Sequence, residues 1–309
     1  MNEIVLSADL GGTNMRMAAV AISGETLHIA RRPTPENVSP HQLLELTDQL
    51  AAECRDALRG AFDLKGMAFG SPAPAASGND GILTKLPNLP SLNGMNLGAA
   101  LRERFALPVT LENDATAAAI GERWLGASKN AKNSIMITLG TGVGGGLIIN
   151  GEPYRGVDGT AGEIGHINVE PDGHPCGCGS NGCLEQYASA TALVRLAGES
   201  GLGSSTARDL YEAASGGDET ARSVFATMGR YLGITLAGLI NVLNPEVIVI
   251  GGGAAAGWDA FIGPAKAEIA RKAFEAPARR ADVVRSALGD NAGLLGAARS
   301  AFIDLGFDP

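Results

Sequence analysis

The chain has 309 residues, a formal net charge of −9 and 43 glycines; 45% of its residues are hydrophobic and 18% are charged. This glycine content is about twice the usual ~7%, but no collagen-like period accompanies it, and the apolar content excludes a wholly disordered chain. The length exceeds the ~250–300 residues at which a single core stops growing, so two lobes are predicted.

Charge and hydropathy exclude several other classes of protein. An acidic chain without basic runs is a poor binder of nucleic acid or anionic membranes. No apolar stretch in the sequence approaches the ~20 residues that a membrane span requires. The N-terminus carries Glu3 and Asp9 rather than the basic start of a signal peptide. We therefore expect a cytoplasmic protein whose four cysteines form no disulfide framework.

The first predicted elements are a strand, a glycine turn and a returning strand. Ile4–Leu10 and Met15–Ile22 are β-rich apolar runs joined by Gly11-Gly12-Thr13-Asn14. A capping box at Ser39 then predicts a helix that continues to about Gly60. The next predicted elements are, in chain order, strand Met67–Phe69, helix Leu97–Phe105, strand Val109–Leu111 and helix Asp114–Leu125.

The second half of the chain repeats this opening unit. Ser134–Leu139 is a predicted strand, Gly140–Gly146 a glycine turn and Leu147–Ile149 the returning strand. Two such units predict a duplicated lobe with a cleft between the copies. The remaining predicted elements are helix Ala221–Asn244, strand Glu246–Ile250 with three glycines after it, and helices Trp258–Phe274 and Ala292–Ile303.

The glycine turns predict phosphate binding, although not of the dinucleotide type. Gly140–Gly145 fits G-x-G-x-x-G, but a dinucleotide-binding turn opens a helix and a strand follows here. In the first turn, glycine N–H groups and the side chains of Thr13 and Asn14 can donate to phosphate, and Asp9 can orient Mg²⁺ through water. The alternative is a plain tight hairpin. Two such turns, with Gly251–Gly253 after a third strand, favour a nucleotide site.

A Cys/His cluster has the spacing of a metal site. His166, Cys176, Cys178 and Cys183 offer three thiolates and one imidazole, a common closed zinc set. A closed set leaves no position for substrate, so the zinc is predicted to be structural. The alternatives are unliganded thiols, or His174 in place of His166. Cys54 lies on the apolar stripe of its helix and is expected in the core.

Glu112-Asn113-Asp114 stands at a strand–helix boundary. Asn and Asp are good helix N-caps, so a purely structural role explains the motif. A carboxylate at such a strand end can also accept a proton from a hydroxyl group during phosphoryl transfer. Spacing alone leaves both interpretations open.

Several of these segments resemble a known family. D-L-G-G-T-N at 9–14, L-G-T-G-V-G-G-G at 139–146 and N-P-E-V-I-V-I-G-G-G at 244–253 resemble the phosphate-1, phosphate-2 and adenosine motifs of the sugar kinase/actin-like ATPase superfamily. Residues 156–189 resemble the signature of the ROK family of repressors, open reading frames and sugar kinases.

The resemblance implies an α/β fold of the two-lobed actin-like (ribonuclease H-like) ATPase type. It has mixed five-stranded sheets flanked by helices, with an interlobe cleft. On this basis residues 1–112 and 292–309 are expected to form a small N-terminal lobe, and residues 113–291 a large C-terminal lobe with the zinc knuckle. A homodimer or homotetramer is also implied.

The resemblance also implies a set of site residues, with ATP, Mg²⁺ and structural Zn²⁺ as cofactors. Asp114 is the implied catalytic base. The nucleotide-binding residues are Asp9, Gly11, Gly12, Thr13, Asn14, Thr141, Gly142, Gly144, Gly252 and Gly253. The sugar-binding residues are Asn88, Asn113, Asp114, Glu163, His166 and Glu185, and the zinc ligands are His166, Cys176, Cys178 and Cys183.

The activity implied is ATP-dependent phosphorylation of a hexose at its 6-hydroxyl, with glucose as the expected sugar. N-acetylmannosamine, N-acetylglucosamine and fructose remain alternatives, because Pro72-Ala73-Pro74 departs from the family's P-G-P in a loop that can border the sugar. Alternatives of another class are a sugar-responsive repressor and a non-catalytic sugar-binding protein. A repressor needs an N-terminal DNA-binding module, whereas the first predicted strand begins at Ile4.

Overall fold

The structure, a computed structural model, describes residues 2–58, 62–72, 81–84, 86, 89–203 and 206–307. Its strands are β1 (Asn2–Leu10), β2 (Asn14–Ala21), β3 (Thr26–Pro33), β4 (Phe62–Ser71), β5 (Val109–Asn113), β6 (Ser134–Leu139), β7 (Val143–Ile149), β8 (Glu152–Pro153), β9 (Val247–Gly251) and β10 (Asp282–Arg285). Its α-helices are α1 (Pro40–Ala57), α2 (Leu97–Phe105), α3 (Asp114–Leu125), α4 (Glu185–Ala188), α5 (Ala190–Glu199), α6 (Ala207–Ser215), α7 (Glu219–Leu243), α8 (Trp258–Lys272), α9 (Glu275–Arg280) and α10 (Ala292–Asp304).

The chain divides into two compact units. Unit 1 comprises Met1–Lys129, Pro153–Ala161 and Asp290–Pro309, and unit 2 comprises Asn130–Glu152 and Gly162–Gly289. Helix α3 groups with unit 1 because it packs closely on α10: a Cβ at Gly296 would collide with the carbonyl oxygen of Ala117. The two units are not the predicted lobes, so the predicted lobe boundary at residue 112 stays a prediction.

Each unit contains a mixed five-stranded sheet, and the two sheets have the same strand order. Unit 1 has the order β3-β2-β1-β4-β5 and unit 2 the order β8-β7-β6-β9-β10. In both, the first hairpin is antiparallel (β1 with β2, β6 with β7), its first strand pairs in parallel with a later strand (β4 or β9), and that strand pairs in parallel with the last one (β5 or β10). The predicted repeat of the strand–turn–strand unit is therefore confirmed as a repeat of the whole sheet.

The two units have separate apolar cores. In unit 1 the buried face of α1, including Leu43, Leu50 and Cys54, packs with strand residues such as Met17 and Phe69. Each such buried aliphatic or aromatic side chain contributes roughly 1.5–3 kcal/mol of transfer free energy. The predicted capping box holds the start of α1: Ser39 Oγ accepts from Gln42 N at 3.3 Å and Gln42 Oε1 accepts from Ser39 N at 2.9 Å.

Helix α7 forms the centre of the core of unit 2. By length and composition it is the one described helix apolar enough to cross a membrane, and 61% of its most apolar stretch is buried inside the protein. Its buried side chains include Phe225, Met228 and Leu236. The expectation that no apolar stretch approaches the length of a membrane span is therefore wrong for α7. Its apolar residues are explained by packing in the core of unit 2.

One predicted turn is wrong in extent. Only Gly140–Gly142 turns the chain, while Gly144–Gly146 belong to strand β7. The glycines are in the strand because another segment lies directly on it: a Cβ at Gly145 would collide with the carbonyl oxygen of Gly162 and with the side chain of Ile164. Sequence patterns also predicted none of β3, β8, β10, α4, α5, α6 and α9.

Candidate functional site

The first glycine turn is closed and anchored within unit 1. Gly11 N donates to Asn14 O at 3.1 Å, while Gly12 and Thr13 are exposed. Thr34, the residue after β3, donates twice to this turn: from Oγ1 to Gly11 O at 2.7 Å and from its backbone N to Thr13 O at 2.9 Å. Asn14 Oδ1 accepts from Arg31 Nε at 3.1 Å. Two carbonyls of the turn are thus held by donors outside it.

Asp9 ends strand β1 beside an arginine that the sequence did not single out. Arg16 lies opposite Asp9 in the antiparallel register, and its Nη2 donates to Asp9 Oδ2 at 2.6 Å. The same nitrogen donates to Asp290 O, also at 2.6 Å. The side chains are only 19% and 26% exposed for Arg16 and Asp9. A cation therefore fixes the orientation of the carboxylate predicted to orient Mg²⁺.

Asn113 and Asp114 lie where β5 becomes α3. Asn113 is the helix N-cap, because its Oδ1 accepts from Ala115 N at 3.1 Å and from Thr116 N at 3.0 Å. Asp114 is the first helical residue and is exposed; its Oδ1 accepts from Ala115 N at 2.7 Å. A carboxylate is favoured in a first helical turn, where the backbone N–H groups point outward. The cap predicted as the structural alternative is present, with an exposed carboxylate directly after it.

Glu112, immediately before this pair, is a buried charged residue whose role the sequence did not reveal. It is 3% exposed and forms two bonds with Arg155, Nη2–Oε2 at 2.5 Å and Nε–Oε1 at 3.3 Å. Ser300 Oγ on α10 donates to Glu112 Oε2 at 3.3 Å. A buried carboxylate is tolerated only when it is paired and hydrogen-bonded, and these bonds meet that requirement. They anchor the strand end that carries Asn113 and Asp114.

The second glycine turn is anchored in unit 2 by the start of α5. Gly140 N donates to Gly142 O at 2.9 Å and closes the turn. Ala190 N donates to Gly140 O at 2.8 Å, and Thr191 Oγ1 donates to Thr141 O at 2.8 Å. The first N–H groups of a helix have no partner within the helix, so Gly140 O satisfies one of them.

Glu185 connects this turn to the Cys/His cluster. Its Oε2 accepts from Val143 N at 3.0 Å, and its Oε1 lies 4.0 Å from Cys176 Sγ. A Cβ at Gly142 would collide with the same carboxylate, so only glycine leaves Glu185 in this position. A residue predicted to bind sugar thus also supports the turn predicted to bind phosphate.

The predicted adenosine-side turn lies next to the end of β6. Gly252 has φ +87°, a value that suits glycine, and a Cβ there would collide with the backbone of Leu139. Gly253 begins a short 3₁₀ segment. The structure therefore brings Gly252 together with the base of the second glycine turn.

The four predicted zinc ligands form one cluster. Their ligand atoms all lie within 4.8 Å of one another. Cys176 Sγ is 3.6 Å from His166 Nδ1, and Cys178 Sγ is 3.7 Å from Cys183 Sγ. A tetrahedral Zn²⁺ with ~2.3 Å Zn–S and ~2.0 Å Zn–N bonds requires about 3.8 Å between two sulfurs and about 3.5 Å between sulfur and nitrogen. A disulfide would need ~2.05 Å, so the donor set fits zinc.

The thiols of the cluster differ in their environment. Burial raises the pKa of the Cys183 thiol to about 12. A hydrogen bond from the backbone of Ser180 is the main cause that lowers the pKa of Cys178. A thiolate at Cys183 therefore needs a nearby cation to stabilise it, whereas the surroundings of Cys178 already favour its thiolate form.

His166 presents its two ring nitrogens to different partners. Nδ1 faces Cys176, whereas Nε2 lies 3.8 Å from Glu163 Oε2. The segment that carries both residues lies on β7, where a Cβ at Gly165 would collide with the carbonyl oxygen of Val143. When Nδ1 binds a metal, the proton of a neutral imidazole is on Nε2, which then faces Glu163 and solvent.

The remaining candidates lie apart from these groups or outside the described residues. His174, the alternative ligand, has its Nε2 2.9 Å from Arg195 Nη1 and is not part of the cluster. Cys54 is buried in the core of unit 1, as expected. Asn88, and Ala73-Pro74 of the loop that departs from the family pattern, lie outside the described residues.

Comparison with known proteins relates both sequence and fold to sugar kinases. A glucokinase of Halalkalibacterium halodurans is 38% identical over 307 residues, covering 94% of this chain and 92% of its own length. The crystal structure of a ROK family glucokinase from Streptomyces griseus in complex with glucose and AMPPNP superposes with a TM-score of 0.82 at 31% identity, covering 96% of this chain and 98% of that one. The predicted fold class, an actin-like ATPase fold with two mixed sheets, is confirmed.

Relatives that regulate transcription also match. A xylose repressor of Caldicellulosiruptor bescii is 28% identical over 306 residues, covering 94% of this chain and 76% of the repressor. Both kinases and repressors therefore share this architecture. The ROK family profile matches residues 5–302, nearly the whole length, and the chain belongs to the ROK family.

Proposed function

We propose that the protein is an ATP-dependent hexose kinase that phosphorylates the 6-hydroxyl of glucose. The observation that carries the proposal is the carboxylate of Asp114, exposed on the first turn of α3 directly after a strand end that Glu112 and Asn113 anchor. Glucokinases at 33–38% identity over nearly the whole chain support a sugar kinase. A cytoplasmic location and a homodimer or homotetramer are part of the proposal, on family resemblance alone.

In the proposed reaction, Asp114 accepts the proton of the sugar 6-hydroxyl as that oxygen attacks the γ-phosphorus of ATP. Phosphoryl transfer needs mostly positioning and charge neutralisation, so one oriented carboxylate suffices as base. Asn113, Glu163, His166 and Glu185 are proposed to hydrogen-bond sugar hydroxyls. Amides and carboxylates that pair with hydroxyls reject analogues that lack them. Asn88 stays a weaker member of this set.

ATP is proposed to bind through the glycine turns. Gly11 N, Gly140 N and Val143 N are bonded within the protein, so the N–H groups that would face the phosphates are those of Gly12 and Thr13 and of Thr141 and Gly142. Asn14 and Gly144 are proposed beside them, and Gly252 and Gly253 on the adenosine side. Asp9 would orient the Mg²⁺ that accompanies ATP through water, as Mg²⁺ usually keeps several waters. These positive groups would offset charge that develops on the phosphates.

A structural Zn²⁺ is proposed on His166, Cys176, Cys178 and Cys183. It would neutralise the thiolates and hold the segments that carry Glu163 and Glu185. The 3.6 Å and 3.7 Å separations within the donor set support this assignment. With Nδ1 on the metal, the Nε2–H of His166 is the side that would donate to a sugar hydroxyl.

The experiment is an ADP-release assay across glucose, fructose, N-acetylmannosamine, N-acetylglucosamine and xylose, with ³¹P NMR to locate the product phosphate. We expect ADP release that depends on hexose, fastest with glucose, and a 6-phosphate product. The repressor relatives motivate the second candidate, a sugar-binding regulator. Saturable sugar binding without ADP release from any sugar would favour that candidate and refute the kinase.

A further inference from the structure

In both glycine turns, carbonyl oxygens are occupied by donors from a more distant segment. In unit 2, Gly140 O and Thr141 O accept from Ala190 N and from Thr191 Oγ1, both at 2.8 Å. Residues 190 and 191 are the first two of α5, which Ser189 caps by accepting from Ala192 N at 3.0 Å. The anchor is therefore part of a well-formed helix start.

Unit 1 has the same arrangement, built from a different element. Thr34 supplies both donors: its Oγ1 bonds Gly11 O at 2.7 Å and its backbone N bonds Thr13 O at 2.9 Å. In each unit, one threonine hydroxyl and one backbone N–H hold two carbonyls of the turn. Thr34 follows a strand and Thr191 lies in a helix, so the similarity does not follow from the sheet repeat alone.

Fixing a carbonyl oxygen of a turn also fixes the direction of the N–H group in the same peptide unit. A peptide unit presents its N–H and its C=O on opposite sides, so fixing the carbonyl toward the protein turns the N–H of the next residue away from that anchor. An unanchored peptide in a glycine turn can flip, because glycine tolerates most backbone conformations. A flipped unit would present a carbonyl oxygen to phosphate, where it repels instead of donating.

We propose that Thr34 and Thr191 are positioning residues, one for each glycine turn, which hold the turn carbonyls inward so that the N–H groups face nucleotide phosphates. The inference rests on the proposed function in assigning phosphate to these turns. It adds two side chains that do not touch the nucleotide themselves. It also makes the helix start after the Cys/His cluster part of the phosphate site.

The test measures the Kd of a non-hydrolysable ATP analogue for Thr34→Val and Thr191→Val. Valine keeps the shape of threonine and removes only the hydroxyl donor. Loss of one such bond predicts a Kd about 3- to 10-fold weaker, with the larger effect at Thr34, which is only 7% exposed. Because the two bonds share no residue, the double variant is expected to show about the product of the two effects.

Three comparisons separate positioning from general damage. Thr34→Ser and Thr191→Ser keep the hydroxyl and should bind the analogue almost as the wild type does. Thr47→Val and Thr227→Val are matched controls, because each removes a threonine bond to a backbone carbonyl within a helix, at 2.7 Å and 3.0 Å. Hexose KM should stay near the wild-type value in all of these variants. The thermal midpoint should also stay near wild type in the Thr191 variants.

Unchanged analogue binding in both valine variants would overturn the proposal, as would equal weakening in the serine variants or in the controls. If the wild type releases ADP with hexose while Thr34→Val and Thr191→Val bind the analogue normally, only this inference fails. If the wild type binds no ATP analogue, both the proposed function and this inference fail.

Discussion

Glu112 and Arg155 are 43 residues apart in sequence, yet the guanidinium lies 2.5 Å from the buried carboxylate. Glu112 is 3% exposed and is followed directly by the helix cap Asn113 and by Asp114. The pair thus ties residues 153–161 of unit 1 to the strand end that presents the proposed catalytic base. Its function would be to keep that strand end in one conformation.

Removing the cation of this pair is predicted to destabilise unit 1. Arg155→Met removes the guanidinium from the buried Glu112 carboxylate and leaves the hydrogen bond from Ser300 in place. Losing one partner of a buried pair costs about 2–4 kcal/mol when the cation is partly exposed. Urea unfolding measures the loss. Arg208→Met is the control, since it removes an exposed i,i+4 pair with Glu212 worth at most ~0.5 kcal/mol.

Adding Glu112→Gln to Arg155→Met should recover part of that stability, because the second change removes the unpaired charge. If the Glu112–Arg155 pair positions Asp114, turnover should be low in Arg155→Met and should stay low in the double variant. Equal stability of the wild type and Arg155→Met would contradict the anchoring role.

The Cys/His cluster is predicted to hold one Zn²⁺ per chain through His166 rather than His174. His166→Ala should lose the metal, measured by elemental analysis of the purified protein. His174→Ala should keep it, since His174 contacts Arg195 instead. Stripping with a chelator is expected to lower the thermal midpoint and raise hexose KM, because Glu185 lies next to Cys176. Retained zinc in His166→Ala with loss in His174→Ala would reverse the ligand assignment.

What the sequence predicts here is local. The four zinc ligands fall within 18 residues and glycines separate them, and the cap at Asn113 is visible in three consecutive residues. The contacts of Glu112, Thr34 and Thr191, and that of Arg16 with Asp290, cannot be predicted in this way. Each joins segments distant in sequence, so their pairing depends on the tertiary fold and leaves no local periodicity.

The errors have a similar cause. Gly144–Gly146 look like a turn by composition, but they lie in a strand because residues 162–165 pack on it. Strand β10 is only four residues long and becomes a strand by pairing with β9. Helices α2 and α3 have the predicted bounds, and in each an asparagine side chain (Asn96 or Asn113) caps the first turn.

Gly142→Ala is predicted to displace Glu185. The new Cβ would collide with the carboxylate, which would have to give up its bond to Val143 N. Glu185 is also a proposed sugar ligand, so moving its carboxylate would remove one charge-assisted bond to the sugar, worth about 1.5–3 kcal/mol, and hexose KM should rise about tenfold or more. Gly198→Ala is the control because a Cβ there meets nothing within 4 Å. Unchanged hexose KM in Gly142→Ala would show that the position of Glu185 does not matter for sugar binding.

Cys54 predicts an alkaline loss of stability. Burial raises the pKa of its thiol from 9.0 to about 11. A group whose pKa is raised in the folded state stabilises it fully below the unfolded pKa and loses that contribution as pH rises toward the folded pKa. Between about pH 9 and pH 11, the free energy of unfolding should therefore fall, by at most ~1.4 kcal/mol per pH unit.

The wild type is compared with Cys54→Ala, which lacks the titrating group. The difference in unfolding free energy between the two proteins should shrink as pH rises from about 8 to about 10.5. A difference that stays constant over this range would mean that the Cys54 thiol has its ordinary pKa in the folded protein.

The most direct test of the kinase proposal is glucose-dependent ADP release by Asp114→Asn, with glucose affinity measured in parallel. We expect kcat to fall about 10²- to 10⁴-fold, the usual contribution of a general base, with glucose Kd within a few fold of wild type. Asp209→Asn, another exposed acid in a first helical turn, should leave both unchanged. Near-normal kcat in Asp114→Asn would contradict the account.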